Sequence, residues 1–228
     1  MTELRPGEGV RLRAEQVSVR IGAREILTSV DLEALPGRLV VVTGPAGSGK
    51  TTLLHVLAGI LVPSAGKVVL DGARLTGYGP GGPTTLGFVP QTFGLAAALS
   101  AEENMALPLQ LLRLHREEVA RRVGAMLAVL GLEAARGQLA TELSGGQRQK
   151  TAFGRAIVAE PGLIVADEPT SELDAASRDL VFELLRQASD RGATVVLATH
   201  DSDLVDRCDD VLSLHDGCVV RWVGSDVS

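Results

Sequence analysis

The stretch "GRLVVVTGPAGSGKTTLLHVLAGI", residues 37–60, decides how the rest of the chain is read. Leu39-Val40-Val41-Val42 is a continuous apolar, largely β-branched run, the pattern of a strand buried on both faces in a parallel sheet. "KTTLLHVLAGI" reads as a helix, with Gly59 and then Pro63 marking its exit. Between the two, Gly44-Pro45-Ala46-Gly47-Ser48-Gly49-Lys50-Thr51 fits the G-x-x-x-x-G-K-[ST] pattern in the strand–turn–helix setting it requires. Glycines there let successive backbone N–H groups converge on phosphate oxygens, and the helix N-terminus adds a favourable dipole. Lys50 is placed to reach β and γ phosphates, and the Thr51 hydroxyl to ligate Mg²⁺.

Outward from this stretch the α/β pattern continues. "VRLRAEQVSVR" and "EILTSVDLEAL" alternate like half-buried strands, and "GKVVLDG" and "LGFVPQ" read as short ones. A helical block follows. Ser100 stands as an N-cap with Glu103 in the capping-box position. Val119, Val123, Met126, Leu127 and Leu130 share one helical face. A further helix is expected from "LSGGQ" to about Glu160, stopped by Pro161. Strands "LIVAD" and "TVVLAT" then flank the amphipathic helix "RDLVFELLRQASDRG", and "DVLSLHDGCVVRWV" predicts a closing hairpin turning at Asp216-Gly217.

Two further stretches carry chemistry. "LIVADEP" delivers adjacent acids, Asp167 and Glu168, at the C-terminal end of a buried strand, where open α/β sheets bind ligands. Asp167 suits Mg²⁺, and Glu168 suits polarising an attacking water. "TELSGGQRQK" sets two glycines behind a serine at a helix start, a second phosphate-binding arrangement in a chain that already has one. Within one chain, Ser144 is equally well read as an N-cap.

Taken together these stretches resemble the nucleotide-binding ATPase of ABC transporters along nearly the whole chain. "GPAGSGKT" is similar to its Walker A motif, "LSGGQ" to the family signature, "LIVADE" to Walker B, "SELD" to the D-loop, Gln91 to the Q-loop and His200 to the H-loop. The resemblance implies an α/β P-loop NTPase core with a mostly parallel sheet, N-terminal antiparallel β strands and an inserted α-helical subdomain. It implies one domain over residues 1–228, with core 10–91 and 158–228 and helical subdomain 92–157. ATP and Mg²⁺ are the implied cofactors. ATP would be held by Gly44, Pro45, Ala46, Gly47, Ser48, Gly49, Lys50, Thr51, Thr52, Ile21 and Gln91, and the metal by Thr51, Gln91 and Asp167. Catalysis would fall to Glu168, His200 and Lys50. Two such domains pack head to tail in this family, so Ser144, Gly145, Gly146 and Gln147 would contact the γ-phosphate on a second subunit, with Ser171 and Asp174 at the D-loop. The implied partners are that second ATPase subunit, as a homodimer, and an integral-membrane permease at the cytoplasmic face of the membrane.

The segment "LGFVPQTFGLAAALSAEENMALPL" further resembles the branch of lipoprotein-release, macrolide-efflux and cell-division ATPases. Three features depart from the family pattern. No aromatic lies between Val17 and Glu25 to stack on adenine, leaving Ile21 as the replacement, with Arg20 or Arg24 able to offer a guanidinium plane. "TGYGPGGPTT", with the only tyrosine, Tyr78, stands where a charged stretch is usual. Glu172 is acidic where a small residue is common, and Pro90 precedes Gln91.

Composition narrows the alternatives. At 228 residues with 45% hydrophobic and 22% charged side chains, the chain can bury one substantial core. A net charge of −6 argues against nucleic acid as the main partner. Cys208 and Cys218 lack metal-ligand spacing and read as reduced thiols. No signal peptide is expected, and no apolar run approaches the roughly 18 residues of a membrane helix. Two other readings stay open: a nucleotide-gated scaffold with little turnover, and a soluble non-transport ATPase of the same family.

Overall fold

The apolar runs dictate the architecture because each must be covered on both faces. In the computed structural model, which describes residues 9–75 and 86–224, six strands form the central sheet. They are β3 (Leu39–Thr43), β6 (Leu86–Val89), β7 (Leu163–Asp167), β8 (Thr194–Ala198), β9 (Asp210–His215) and β10 (Cys218–Val223), in the order β10-β9-β3-β8-β7-β6. All neighbours are parallel except the hairpin β9–β10. A second, antiparallel sheet has the order β2-β1-β4-β5, from β1 (Leu12–Ile21), β2 (Arg24–Ala34), β4 (Ala65–Leu70) and β5 (Ala73–Arg74). The expected loop at residues 76–85, with Tyr78, lies outside the described residues.

Alternation along the central strands splits the interior into two cores. Val40 and Val42, Leu163 and Val165, and Val196 and Ala198 face the antiparallel sheet and α1 (Lys50–Leu57). Leu39 and Val41, Ile164 and Ala166, and Val195 and Leu197 face the helical layer. That layer comprises α2 (Ala101–Leu111), α3 (Arg116–Val129), α4 (Gly145–Ile157) and α5 (Ala175–Asp190), with a short α6 (Ser202–Val205) after β8. Near-complete burial on both faces explains why these strands read as unbroken apolar runs.

Local departures have local causes. The alternation of β1 is interrupted at Gln16, whose φ of 49° makes a bulge between the paired segments Leu12–Ala14 and Val17–Ile21. Asp31 of β2 anchors the bulge by accepting from the Gln16 backbone N–H at 2.8 Å and from its side-chain amide. Helix α4 stops at Ile157, three residues short of the expected end, because Val158 is its C-cap and Glu160 turns to a φ of 51°. Helix α2 runs through Pro108, which sits in its last turn. The Asp216-Gly217 turn has positive φ at both positions, 46° and 76°, as a two-residue hairpin turn demands. Cys208 and Cys218 are free, and burial pushes the Cys208 thiol up to about 12, which keeps it protonated.

The start of the helical layer is held by one polar side chain. Ser100 and Glu103 form the reciprocal capping box, with Glu103 accepting from the Ser100 N–H at 2.8 Å. One residue on, the fully buried Asn104 accepts from the Ala96 N–H at 2.8 Å and donates to the carbonyls of Ala96, Leu99 and Ser100 at 3.2, 3.1 and 3.0 Å. It closes the segment that leads from β6 into α2. Asn104→Ala leaves the Ala96 N–H without its acceptor, while the three carbonyls keep backbone donors, and is expected to cost about 1–3 kcal/mol, measured by denaturant unfolding.

Candidate nucleotide site

The site follows from strand register. Val42 of β3 lies beside Ala198 of β8, Ala198 beside Asp167 of β7, and Ala166 beside Val89 of β6. The loops leaving these four strands therefore emerge along one edge of the sheet. They carry the phosphate loop, His200, Asp167 with Glu168, and Gln91. This is the carboxyl end of the parallel strands, where ligands bind in such sheets.

The loop between β3 and α1 is shaped by glycine. Gly44, Gly47 and Gly49 adopt φ values of 144°, 79° and 103°. A methyl group on Gly44 would lie 2.2 Å from the Leu214 carbonyl oxygen, and one on Gly49 2.7 Å from Leu27 Cδ2. At Gly47 it would meet nothing within 4 Å, which leaves that side open. The Lys50 ammonium donates to the Gly44 and Pro45 carbonyls at 2.7 and 3.0 Å and so sits within the arch of the loop. Gly217 N–H donates to the Ser48 carbonyl at 3.1 Å and ties the loop to the β9–β10 turn.

Asp167 is only 2% exposed at the end of β7. Burial raises its carboxyl pKa, with neighbouring Glu168 adding to the rise and a hydrogen bond with the Thr51 hydroxyl opposing it. Its Oδ2 is buried with no hydrogen-bond partner. An unsatisfied buried carboxylate oxygen beside a threonine hydroxyl at a phosphate loop fits Mg²⁺, a hard cation that takes one or two protein oxygens plus phosphate oxygens and water.

Glu168 stands one residue on, with a φ of 48°, a left-handed conformation that non-glycine residues rarely hold. Its backbone N–H donates to the Ala198 carbonyl at 3.0 Å. Its Oε1 lies 3.0 Å from Nδ1 of His200, while Oε2 is buried with no partner. His200 is itself well exposed, 76% at the side chain, so its ring faces outward over the acid.

Not all the expected site residues converge. Lys50, Thr51, Asp167, Glu168 and His200 share the sheet edge. Ile21 is 59% exposed at the tip of the β1–β2 hairpin. Gln91 stands at the same edge but is exposed in the turn after β6. Ser144 is the N-cap of α4: its hydroxyl accepts from the Gln147 N–H at 3.3 Å, and the Gln147 side chain accepts from the Ser144 N–H at 2.9 Å. Gly145 and Gly146 face Glu172 of the same chain, the nearest approaches to a Cβ there being 3.0 and 3.2 Å. Among the described residues no hydrogen bond joins this turn to the phosphate loop. Asp174 caps α5, accepting from the Ser177 N–H at 2.8 Å, and that bond holds its carboxyl below the usual range. Sequence reading missed the clamp on the Gln91 turn. Arg155 of α4 donates to the Gly94 and Phe93 carbonyls at 2.6 and 3.0 Å, and the Arg148 guanidinium lies 5.5 Å from the Phe93 ring centre. Spacing along the helix showed only basic residues, with nothing to say what they reach.

Comparison with known proteins agrees with this geometry. The ABC transporter family model matches residues 27–171, well over half of the chain. The chain belongs to the ABC transporter family. The lipoprotein-releasing system ATP-binding protein LolD of Hyphomonas neptunium is 36% identical over 208 residues, covering 89% of this chain and 91% of that protein. The ABC transporter ATP-binding protein YtrE of Bacillus subtilis is 35% identical over 198 residues, covering 84% and 86%. Among solved structures, the dimeric post-hydrolysis state of the ATP-binding cassette MJ0796 bound to ADP and Pi superimposes with a TM-score of 0.86 at 30% identity, covering 93% of this chain and 98% of that one. Family, fold and motif order make this chain an ABC-type ATPase subunit with a P-loop NTPase fold. Among the described residues no helix is long and apolar enough to cross a membrane.

The glycine geometry separates two variants of the phosphate loop. Gly47→Ala, with open space but a positive φ, is expected to cost about 1–2 kcal/mol of stability. Gly44→Ala adds a backbone collision and is expected to cost about 3 kcal/mol or more. Thermal or denaturant unfolding of the two variants measures the difference.

Proposed function

We propose that this chain is one of two ATPase subunits that clamp ATP and Mg²⁺ between them and, from the cytoplasmic face of the membrane, drive a separate integral-membrane permease. The reading rests above all on the single sheet edge that carries the phosphate loop, the Asp167–Thr51 pair and the Glu168–His200 pair 3.0 Å apart. Residues 10–91 and 158–228 serve as the ATPase core, and residues 92–157 as the helical subdomain.

In this reading Gly44, Pro45, Ala46, Gly47, Ser48, Gly49, Lys50, Thr51 and Thr52 hold the phosphates. Backbone N–H groups and the Lys50 ammonium neutralise charge that grows as the γ-phosphoryl is transferred. Thr51 and Asp167, with Gln91 from the neighbouring turn, would hold the metal, which would supply charge neutralisation to the phosphates. Glu168 accepts the proton of the attacking water. With its Nδ1 protonated, His200 donates to Glu168 and holds that carboxylate toward the water. Ile21 takes the apolar contact to the base. Ser144, Gly145, Gly146 and Gln147 offer a hydroxyl and helix N-terminal amides to the partner's γ-phosphate, with Ser171 and Asp174 alongside. This assignment is supported by the dimeric state named for the MJ0796 cassette and by the signature turn facing Glu172, with no hydrogen bond among the described residues to its own phosphate loop. Resemblance to LolD favours a branch that works on lipoproteins or drugs by transmitting force to a membrane partner.

Glu168→Gln is expected to lower the steady-state ATPase rate about 100-fold or more while ATP binding persists and an ATP-loaded dimer accumulates on size exclusion. Full turnover in that variant, or no dimer, contradicts the assignment. Ser144→Arg is expected to keep the monomer's affinity for ATP and abolish ATP-driven pairing. Loss of monomer binding means that the signature acts within its own chain.

A further inference from the structure

Helix α4 buries Ala152, Phe153, Ala156 and Ile157, and Gln149 lies on that same face, only 2% exposed. A glutamine is costly there unless every polar atom is used. Its carboxamide makes three hydrogen bonds, and none stays within α4. Nε2 donates to the Glu168 carbonyl at 2.8 Å and to Ser171 Oγ at 3.3 Å, and Oε1 accepts from the Glu172 N–H at 2.6 Å. All three partners belong to the segment between β7 and α5.

Glu168 needs such support. Its left-handed backbone is disfavoured for a residue with a Cβ and persists only where neighbours hold it. It is gripped from both sides: the N–H is bonded to Ala198 of β8, and the carbonyl accepts from Gln149 of α4 at 2.8 Å and, more weakly, from the Ser171 N–H at 3.3 Å. That backbone setting aims the side chain, whose Oε1 meets His200 at 3.0 Å. The grip from β8 comes from the same sheet. The grip from α4 comes from the helix whose first residues are the signature turn, with Ser144 five positions before Gln149 on one continuous element.

We propose that Gln149 is a positioning residue for ATP hydrolysis: it holds the Glu168 backbone in its left-handed state and ties that state to the signature end of α4. Contact of the signature turn with a partner's nucleotide thereby registers at the Glu168 of the same chain, through one buried carboxamide. The inference rests on the reading of Glu168 as the catalytic acid–base group and of Ser144 as a contact in trans.

The test uses the full chain, steady-state ATPase kinetics and binding of a fluorescent ATP analogue to the monomer. Gln149→Leu fills the space and removes all three bonds. Gln149→Glu is nearly isosteric, keeps an acceptor for the Glu172 N–H and sets an oxygen against the Glu168 carbonyl, so it remains informative if the leucine variant folds poorly. Both are expected to lower kcat about tenfold or more, the scale of a misplaced catalytic group, with KM and monomer affinity within about twofold of the unmodified chain. If Gln149→Glu turns over like the unmodified chain, or if KM and monomer affinity worsen in step with kcat, the positioning role is overturned. Glu168→Gln, assayed alongside, separates the two levels. Retained turnover there overturns the reading of the site itself, whereas an inactive Glu168→Gln with an unimpaired Gln149→Glu overturns this inference alone.

Discussion

Everything at the site depends on the burial of three parallel strands on both faces, with β6 paired beside them. Because β3, β8 and β7 are covered by the antiparallel sheet and α1 on one side and by the helices on the other, their register has little freedom. A shift of one residue would turn every side chain to the wrong core. The fixed register brings Val42, Ala198, Asp167 and Val89 to a common edge, and with them the loops that follow. The chemistry is placed by a hydrophobic constraint.

Polar groups at that edge are held in states that cost free energy. Asp167 and Glu168 each keep one buried carboxylate oxygen without a partner, and Glu168 adds a left-handed backbone. In an interior where nearly all buried polar atoms are paired, such exceptions mark places shaped for something other than stability. Elsewhere in the layer Asn104 uses its carboxamide fully, Gln149 does the same, and Arg155 closes the turn after β6, while Arg148 Nε and Ser189 Oγ stay buried without a hydrogen-bond partner. Helix α4 is the common member, since it reaches the Gln91 turn, Ser171, Glu172 and the carbonyl of Glu168 while its N-terminus stays at the surface.

Much of this was legible in the chain. The buried strands, the phosphate loop, the acids at the end of "LIVAD", the Ser100 capping box and the Asp216-Gly217 turn each have a local cause, so periodicity or turn chemistry reveals them. What escaped was long-range. Nothing near Gln16 announces that Asp31 holds a bulge there, and nothing near Gln149 names partners nineteen to twenty-three positions away. Helix α4 ends before the visible stop at Pro161, because the chain leaves the helix at its Val158 cap and turns left-handed at Glu160.

By itself the sequence determined the element types, the family and the residue kinds offered to phosphate, because those depend on backbone geometry and spacing within a few positions. Only the tertiary structure decided which of these residues share an edge, which oxygens are left without partners, and that the signature helix reaches back to hold Glu168. Those outcomes depend on register and on side chains that meet across folded layers, and no property of a residue's immediate neighbours encodes them.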